Sequence, residues 1–274
     1  MRIVSLLPSA TETLYALGLG NQLVAVTHEC DYPPEAASLP IVTRSTARLE
    51  DKASGGLEAA VSLAAAEGLS LYEVDTKAIR KLHPDLVIAQ DICRVCAVSA
   101  DQVAVDLDGI PMIRQHPHSL ADVLADIEEL ASACGADSTP LLSELGSRLE
   151  AASREARRMG TVRGVFLEWI DPPYRAGHWT PDLLALAGIE DPIARAGVPS
   201  VALSWAEVVA ARPELLILAP CGFTRDRALE EAAVVQKNIN AVGAARVVVL
   251  DGSAYFNRPG PRLVDSLEQL VANR

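Results

Sequence analysis

The sequence predicts an α/β protein with two lobes, each built on a central, mostly parallel β-sheet flanked by helices. Apolar runs of strand length alternate with helical patterns along the 274 residues, as is typical of parallel sheets buried on both faces. Two sequence patterns recur in the same order in both halves, and a long amphipathic segment lies between them. Half of the residues are hydrophobic, so each lobe can bury a core of its own.

The strands are predicted from short runs of apolar and β-branched residues. The predicted strands are residues 3–7, 23–26, 86–89, 112–114, 162–167, 215–218 and 247–250.

Helix boundaries are predicted from capping residues. Ser9 and Glu12 have the spacing of a capping box, in which the Ser hydroxyl and the Glu carboxylate satisfy backbone amides reciprocally. Asp75 and Ser119 are predicted N-caps. Helix ends are predicted at Gly18 and Gly188, because glycine readily adopts the left-handed conformation that ends a helix.

The internal repeat predicts how the chain is divided. Residues 11–18 resemble 181–188, and residues 83–88 resemble 212–217. We therefore predict an N-terminal α/β lobe, a helical connection and a C-terminal α/β lobe. These comprise residues 1–118 (with an Ala/Gly-rich insertion at about 45–70), 119–160 and 161–274.

Within the connection, residues 139–158 carry apolar side chains at helical spacing. At 1.5 Å per residue this segment would form a helix of roughly 30 Å. We predict that it joins the two lobes as a rigid backbone helix.

Charge and hydropathy exclude some classes of partner. The net charge of −12 argues against nucleic-acid binding, which needs clustered Lys and Arg. No apolar stretch approaches the ~18 residues of a membrane span, so the chain is not predicted to be membrane-embedded. The N-terminus enters a strand at once without a secretory leader pattern. This predicts a cytoplasmic protein, or a periplasmic or other extracytoplasmic one if a leader has been removed.

Four of the five cysteines follow predicted strands. Cys93 and Cys96 form a Cys-x-x-Cys motif after residues 86–89, while Cys30 and Cys221 follow two other strands. Ligands of parallel sheets bind at the carboxyl ends of the strands, and four thiolates suit zinc or an iron–sulfur cluster. Two other interpretations remain open: a thiol–disulfide couple at Cys93 and Cys96, and ordinary buried cysteines.

The same strand ends carry aromatic and polar side chains. Aromatic residues on loops are typical of a binding surface. The predicted ligand-binding residues are His28, Tyr32, Gln90, Trp169, Tyr174, His178, Trp179, Phe223, Tyr255, Phe256 and Arg258. The sequence contains no Ser-His-Asp order, phosphate-binding loop or dinucleotide fingerprint, so no catalytic residue is predicted.

With these motifs assembled, the chain resembles the class III, or helical-backbone, substrate-binding proteins of ABC transporters for vitamin B12, haem and iron–siderophores. It is most similar to a leaderless, cobalamin-binding-protein-like branch related to the periplasmic vitamin B12-binding proteins. The likeness covers nearly the whole chain. The motifs that carry it are residues 5–12, 31–33, 82–87, 93–98, 167–169, 177–181 and 259–262.

The resemblance implies a non-catalytic binding protein that holds cobalamin, another corrinoid or a related metal-centred ligand between its lobes. Five of the aromatic residues would then pack against the macrocycle, namely Tyr32, Trp169, Trp179, Phe223 and Tyr255. His28, Gln90 and Arg258 would hydrogen-bond its polar edge. An ABC permease is the implied partner. The rim acids Glu12 and Asp182 occupy the positions that would meet it. The alternative is a cytoplasmic metalloprotein, redox-active or enzymatic, whose cysteines bind an iron–sulfur cluster or zinc.

Overall fold

The computed structural model describes residues 1–46, 54–66, 71–91 and 100–274. These residues divide into two compact units. The N-terminal unit contains residues 1–46, 59–66, 71–91, 100–117 and 124–142, and the C-terminal unit contains residues 54–58, 118–123 and 143–274. Both units are α/β with a mostly parallel sheet, as predicted. The predicted lobe boundaries at residues 118 and 161 stay a prediction.

The strands match the apolar runs of the sequence within a few residues. They are β1 (Ile3–Ser5), β2 (Leu23–Ala25), β3 (Thr43–Ser45), β4 (Tyr72–Val74), β5 (Leu86–Gln90), β6 (Met112–Gln115), β7 (Val162–Ile170), β8 (Pro173–Arg175), β9 (Ile189–Glu190), β10 (Leu215–Leu218) and β11 (Arg246–Val249). Strands β3, β4, β8 and β9 were not predicted, since each has only two or three residues and no apolar run to mark it.

The helices are α1 (Pro8–Ala16), α2 (Ser54–Ala66), α3 (Thr76–Lys81), α4 (Ala100–Ala104), α5 (Leu120–Ala133), α6 (Thr139–Met159), α7 (Thr180–Leu186), α8 (Trp205–Ala211), α9 (Arg225–Val234), α10 (Gln236–Val242) and α11 (Leu263–Asn273). Helix α6 is the predicted long helix and has 21 residues. None of the helices in the described ranges is both long and apolar enough to cross a membrane.

The N-terminal unit contains a four-stranded parallel sheet in the order β2-β1-β5-β6. Neighbouring residues of β1 face opposite sides of it. Ile3 packs in a cluster with Leu14 of α1 and Leu130 of α5, while Val4 packs in another with Ile79 of α3. Helices therefore cover both faces, and only the strand ends are available for a site. Strands β3 and β4 form a separate antiparallel pair in the same unit.

The C-terminal unit contains a sheet in the order β11-β10-β7-β8, with β9 also paired to β7. Its pairs are parallel except for β7 with β8. Val165 and Leu167 pack in one cluster with Val208 of α8. Phe166 lies between them in sequence and points to the opposite face, where its ring centroid is 5.0 Å from that of Phe256.

Strand β11 lies at one edge of this sheet. Val247 on this strand is exposed. Arg225 donates its Nε hydrogen to the carbonyl oxygen of Val249 at 3.3 Å, and Arg246 donates to the carbonyl of Arg274 at 2.9 Å. Arginine side chains thus line the open edge of the sheet.

The predicted capping box at Ser9 and Glu12 is wrong. Helix α1 begins at Pro8, with Leu7 in the N-cap position and no side-chain cap, because proline at the first position fixes a helical φ and lacks the amide that a cap would satisfy. Glu12 is instead buried, with 4% of its surface exposed. The motif with capping-box geometry is Ser204 with Glu207, at the start of α8.

The other predicted caps are confirmed. The carboxylate of Asp75 accepts the amide of Ala78 at 2.8 Å. The hydroxyl of Ser119 accepts the amide of Asp122 at 3.1 Å. Gly18 and Gly188 have φ values of 75° and 68°, the left-handed conformation expected where a helix ends.

Candidate functional site

The carboxyl ends of β7 and β10 carry a pair of aromatic rings in the C-terminal unit. Trp169 is the next-to-last residue of β7, and Phe223 lies in the turn after β10. Their ring centroids are 4.9 Å apart at 47°, and each residue is 8% exposed. Tyr174 of β8, opposite Trp169 in the antiparallel pairing, packs against the same cluster. We call Trp169, Tyr174 and Phe223 the aromatic face.

Polar contacts hold the rings of the aromatic face in place. The indole Nε1 of Trp169 donates to the carbonyl oxygen of Asp171 at 3.1 Å. The guanidinium carbon of Arg227 lies 5.3 Å from the ring centroid of Phe223, and the same guanidinium pairs with Glu231 at 2.9 Å. A cation above one ring and a hydrogen bond on the other fix both orientations.

Glu168 is an acid placed beside the aromatic face, one residue before Trp169. Its Oε1 accepts the amide of Gly177 at 2.9 Å, and the side chains of Thr180 and Ser200 also hydrogen-bond to the carboxyl group. Burial raises the pKa of Glu168 to about 7, although these hydrogen bonds act to lower it. The carboxyl group therefore changes charge near neutral pH and ties β7 to the loop before α7.

That loop carries His178 and Trp179. The ring of His178 is stacked on the ring of His118 with centroids 5.8 Å apart at 17°, and it lies 5.5 Å from the ring of Trp179. The indole Nε1 of Trp179 donates to the carbonyl oxygen of Phe256 at 2.9 Å. Trp179 is 7% exposed, so little of its ring is available to a ligand.

The predicted residues after β11 lie in a π-helical turn, Gly252–Phe256, and the loop that follows it. Tyr255 is half-buried, with the guanidinium carbon of Arg262 5.5 Å from its ring centroid. Arg258 is buried at 9% exposure, and Phe256 at 1%. Because Phe256 packs on Phe166, its ring belongs to the interior of the unit rather than to its surface.

His28 and Tyr72 form a small surface group in the N-terminal unit. His28 Nδ1 lies 2.7 Å from the hydroxyl of Thr43, and the rings of His28 and Tyr72 are 5.6 Å apart. The hydroxyl of Tyr72 donates to Glu29 at 3.2 Å. Tyr32 is 46% exposed. The tilted His28–Tyr72 pair, the carboxylate of Glu29 and the exposed Tyr32 give this unit polar groups at its surface.

A buried network of hydroxyl and thiol groups lies behind this surface. The hydroxyl of Thr11 lies 2.9 Å from that of Ser5 and 3.2 Å from the sulfur of Cys30. The same sulfur lies 3.2 Å from the hydroxyl of Thr27, and Cys30 is packed among core residues at 4% exposure. We call Ser5, Thr11, Thr27 and Cys30 the polar edge.

Gln90 ends β5 and is 3% exposed. It stands opposite Gln115 in the parallel pairing with β6, and Gln115 is equally buried. The amide side chain predicted to meet a ligand therefore lies in the interior at the end of the sheet.

Two of the four predicted cysteine ligands belong to different units. Cys30 belongs to the N-terminal unit and Cys221 to the C-terminal unit, while Cys93 and Cys96 lie outside the described residues. Among the residues that are described, no three His, Cys, Asp or Glu side chains come together as a metal would require. The four-cysteine site stays a prediction.

Several residues around the aromatic face were missed by the sequence reasoning. They are Ser54, Leu57 and Glu58 of α2 and Glu231 of α9. Ser54 and Glu231 are joined by a hydrogen bond across 177 positions of sequence, which no local pattern reveals. The adjacent Gly55 and Gly56 at the start of a helix were the available signal, since glycine there marks a close backbone approach.

Comparisons with known proteins agree with this architecture. The chain is 25% identical over 282 aligned residues to the vitamin B12-binding protein of Vibrio cholerae, covering 98% of this chain and 87% of that one. It is 26% identical to the vitamin B12-binding protein of Vibrio parahaemolyticus, covering 97% and 86%.

Solved structures give the same fold. The periplasmic vitamin B12 binding protein BtuF of Vibrio cholerae has a TM-score of 0.71 at 23% identity, covering 99% of this chain and 95% of that one. The periplasmic heme-binding protein RhuT from Roseiflexus has a TM-score of 0.72 at 25% identity, covering 99% and 97%. The sequence profile described as periplasmic binding protein matches residues 3–254. The chain belongs to the periplasmic binding protein family.

Proposed function

We propose that this protein is a non-catalytic binding protein for cobalamin, another corrinoid or a closely related metal-centred macrocycle. The observation that carries the proposal is the full-length likeness to proteins named for vitamin B12 binding. Heme-binding proteins are also among the similar structures, so haem is the competing ligand. An ABC permease would receive the ligand.

The aromatic face supports a flat, largely apolar ligand. Large rings bury much apolar area, and they lose little conformational entropy when a ligand binds because they are already held. Trp169 and Phe223 are held by the contacts of Asp171 and Arg227. We therefore propose these two rings as the main contacts, with Tyr174, Tyr255, Trp179 and His178 beside them.

Polar recognition is proposed for the remaining predicted residues. His28 and Tyr32 lie on the surface of the N-terminal unit and would hydrogen-bond amide or carboxylate groups at the edge of the macrocycle. Arg258, Gln90 and Phe256 are buried, so we propose that they support the surface from behind.

A titration with two ligands tests the proposal. Cyanocobalamin and haemin are added separately to the purified protein, and binding is followed by absorbance change and by calorimetry. We expect a Kd of about 10 µM or tighter for one of them, on the order of −7 kcal/mol. Absence of heat and of spectral change with both ligands at high micromolar concentration would overturn the proposal.

The metalloprotein alternative requires Cys30 as a ligand. Its sulfur lies 3.2 Å from the hydroxyl groups of both Thr11 and Thr27, and the residue is 4% exposed among core side chains. Iron, zinc and acid-labile sulfide analysis of anaerobically purified protein decides between the two functions. Zinc, or iron with acid-labile sulfide, in a fixed ratio to the protein chain would favour the alternative. Metal-free protein would exclude it.

A further inference from the structure

The first turn of α2 lies against the aromatic face. Residues 54–58 belong to the C-terminal unit. Leu57 packs against the cluster that contains Trp169 and Phe223. A short piece of the predicted insertion therefore covers the rings that the proposed function uses.

A buried carboxylate anchors the start of this turn. The backbone amide of Ser54 donates to Glu231 Oε2 at 2.9 Å. Glu231 is 4% exposed and forms an ion pair with Arg227, the residue whose guanidinium faces the ring of Phe223. Glu231 therefore both anchors the turn and pairs with the guanidinium that lies over the ring of Phe223.

Two further contacts hold the turn close. The hydroxyl of Tyr174 donates to Glu58 at 2.7 Å. A Cβ atom added to Gly55 would lie 2.7 Å from Asp171 Oδ2, closer than real Cβ contacts come. An alanine at position 55 would therefore require the Asp171 carboxylate to shift.

We propose that residues 54–58 are a displaceable cover on the aromatic face, which a ligand must move aside to contact Trp169 and Phe223. This inference rests on the proposed function. Its basis is that the two rings are 8% exposed each, and that the contacts of the cover seen among the described residues include the Leu57 side chain and the hydrogen bonds at Ser54 and Glu58. Each of these contributes modestly in water. The apparent affinity for ligand then equals the intrinsic affinity multiplied by the fraction of molecules that are uncovered.

Amide hydrogen exchange tests the cover without any ligand. In the unaltered protein, residues 54–58 should exchange more slowly than an unstructured peptide but faster than β10 in the core of the sheet. We expect Gly55→Ala and Glu58→Ala each to raise exchange at residues 54–58 by about tenfold, because the first adds a Cβ that crowds Asp171 and the second removes the hydrogen bond to Tyr174.

The matched control is Gly56→Ala. It makes the same chemical change one position along the helix, at an exposed residue, and should not raise exchange, because alanine favours a helix more than glycine does. Exchange at the rate of an unstructured peptide, exchange as slow as that of β10, or equal exchange in Gly55→Ala and Gly56→Ala would each overturn the cover.

Titration with cyanocobalamin and haemin then separates the cover from the binding function. A displaceable cover predicts tighter binding in Gly55→Ala by about the same factor by which exchange rises, since both measure the opening equilibrium. Equal or weaker binding would make residues 54–58 a fixed wall of the site and overturn the cover. If no variant binds either ligand, the proposed function fails, and the exchange data alone decide whether the turn is docked and opens.

Discussion

The two sheets end in different chemistry. The polar edge of the N-terminal unit consists of hydroxyl and thiol groups that bond to one another and are at most 5% exposed. The aromatic face of the C-terminal unit consists of large rings, of which Trp169 and Tyr174 form hydrogen bonds through their polar atoms and Phe223 lies under the guanidinium of Arg227. Similar parallel architectures thus support a buried hydrogen-bonded network in one unit and a largely buried cluster of aromatic rings in the other.

This difference assigns the main part of ligand affinity to the C-terminal unit. A hydrogen-bonded network that is complete within the protein has little left to offer a ligand. Aromatic rings gain free energy by burial whatever the details of the ligand's edge. The following predictions compare the two units in ligand affinity and in stability, beginning with the largest expected effect.

Replacing Glu168 by Gln should change the pH dependence of stability. The pKa of Glu168 is raised from 4.5 to about 7 in the fold, so the native state binds the proton more tightly than the unfolded chain does. This contribution is fully present below pH ~4.5 and is lost as pH rises through ~7, by up to about 3 kcal/mol.

The measurement is urea unfolding at a series of pH values between 4 and 8. The free energy of unfolding of the unaltered protein, relative to that of Glu168→Gln, should fall as pH rises across this range. Parallel curves for the two proteins would show that Glu168 titrates normally in the fold.

Replacing Trp169 by Leu should weaken binding of cyanocobalamin or haemin, whichever the protein binds. We expect a loss of about 2 kcal/mol, roughly 30-fold in Kd, as for a central aromatic contact. Trp205→Leu in α8 is the control, since Trp205 packs against the interior cluster of the sheet instead. Calorimetry measures both, and an equal loss in the two variants would mean that the aromatic face has no special role.

Replacing Thr11 by Val should act on stability but not on affinity. The change keeps the shape of the side chain but removes the hydroxyl that lies between Ser5 and Cys30, at a cost of about 1–2 kcal/mol in the free energy of unfolding. Thr161→Val, at an exposed position, is the control. A loss of ligand affinity comparable to that of Trp169→Leu would contradict the division between the two units.

The smallest predicted effect concerns ion pairs. Arg148 of α6 contacts Asp265 at 2.5 Å and Glu268 at 2.7 Å in the C-terminal unit, whereas Arg44 forms an exposed ion pair with Glu73 in the N-terminal unit. We expect Arg148→Gln to lower the free energy of unfolding by about 1 kcal/mol, because a network of charges is stronger than a single pair. Arg44→Gln should leave it unchanged. Thermal unfolding at low and high salt checks both.

The sequence predicted the frame of both units because apolar runs mark buried strands directly. It placed β10 correctly at residues 215–218 and the long helix α6 within one residue. It ended β7 too early, because the Pro-Pro segment after Asp171 was interpreted as a loop although Pro173 pairs with Ile170. The prediction therefore assigned Trp169 and Tyr174 to loops, whereas they lie in strands β7 and β8.

The composition of the site was harder to predict than the frame. The aromatic rings could be named in advance since large rings near strand ends are conspicuous. The polar edge could not, because single Ser and Thr residues follow no pattern, and their hydrogen bonds join separate parts of the chain. The contact of Ser54 with Glu231 depends on tertiary packing alone.

The arginines along β11 have a consequence for how molecules meet at high concentration. An uncovered outer strand offers carbonyl groups to which another chain could add as an extra strand. Here Arg225 occupies the Val249 carbonyl, and an incoming strand would have to break that bond and strip water from a charged group. Self-association through sheet extension is therefore disfavoured at strand β11, although Val247 on that strand is exposed.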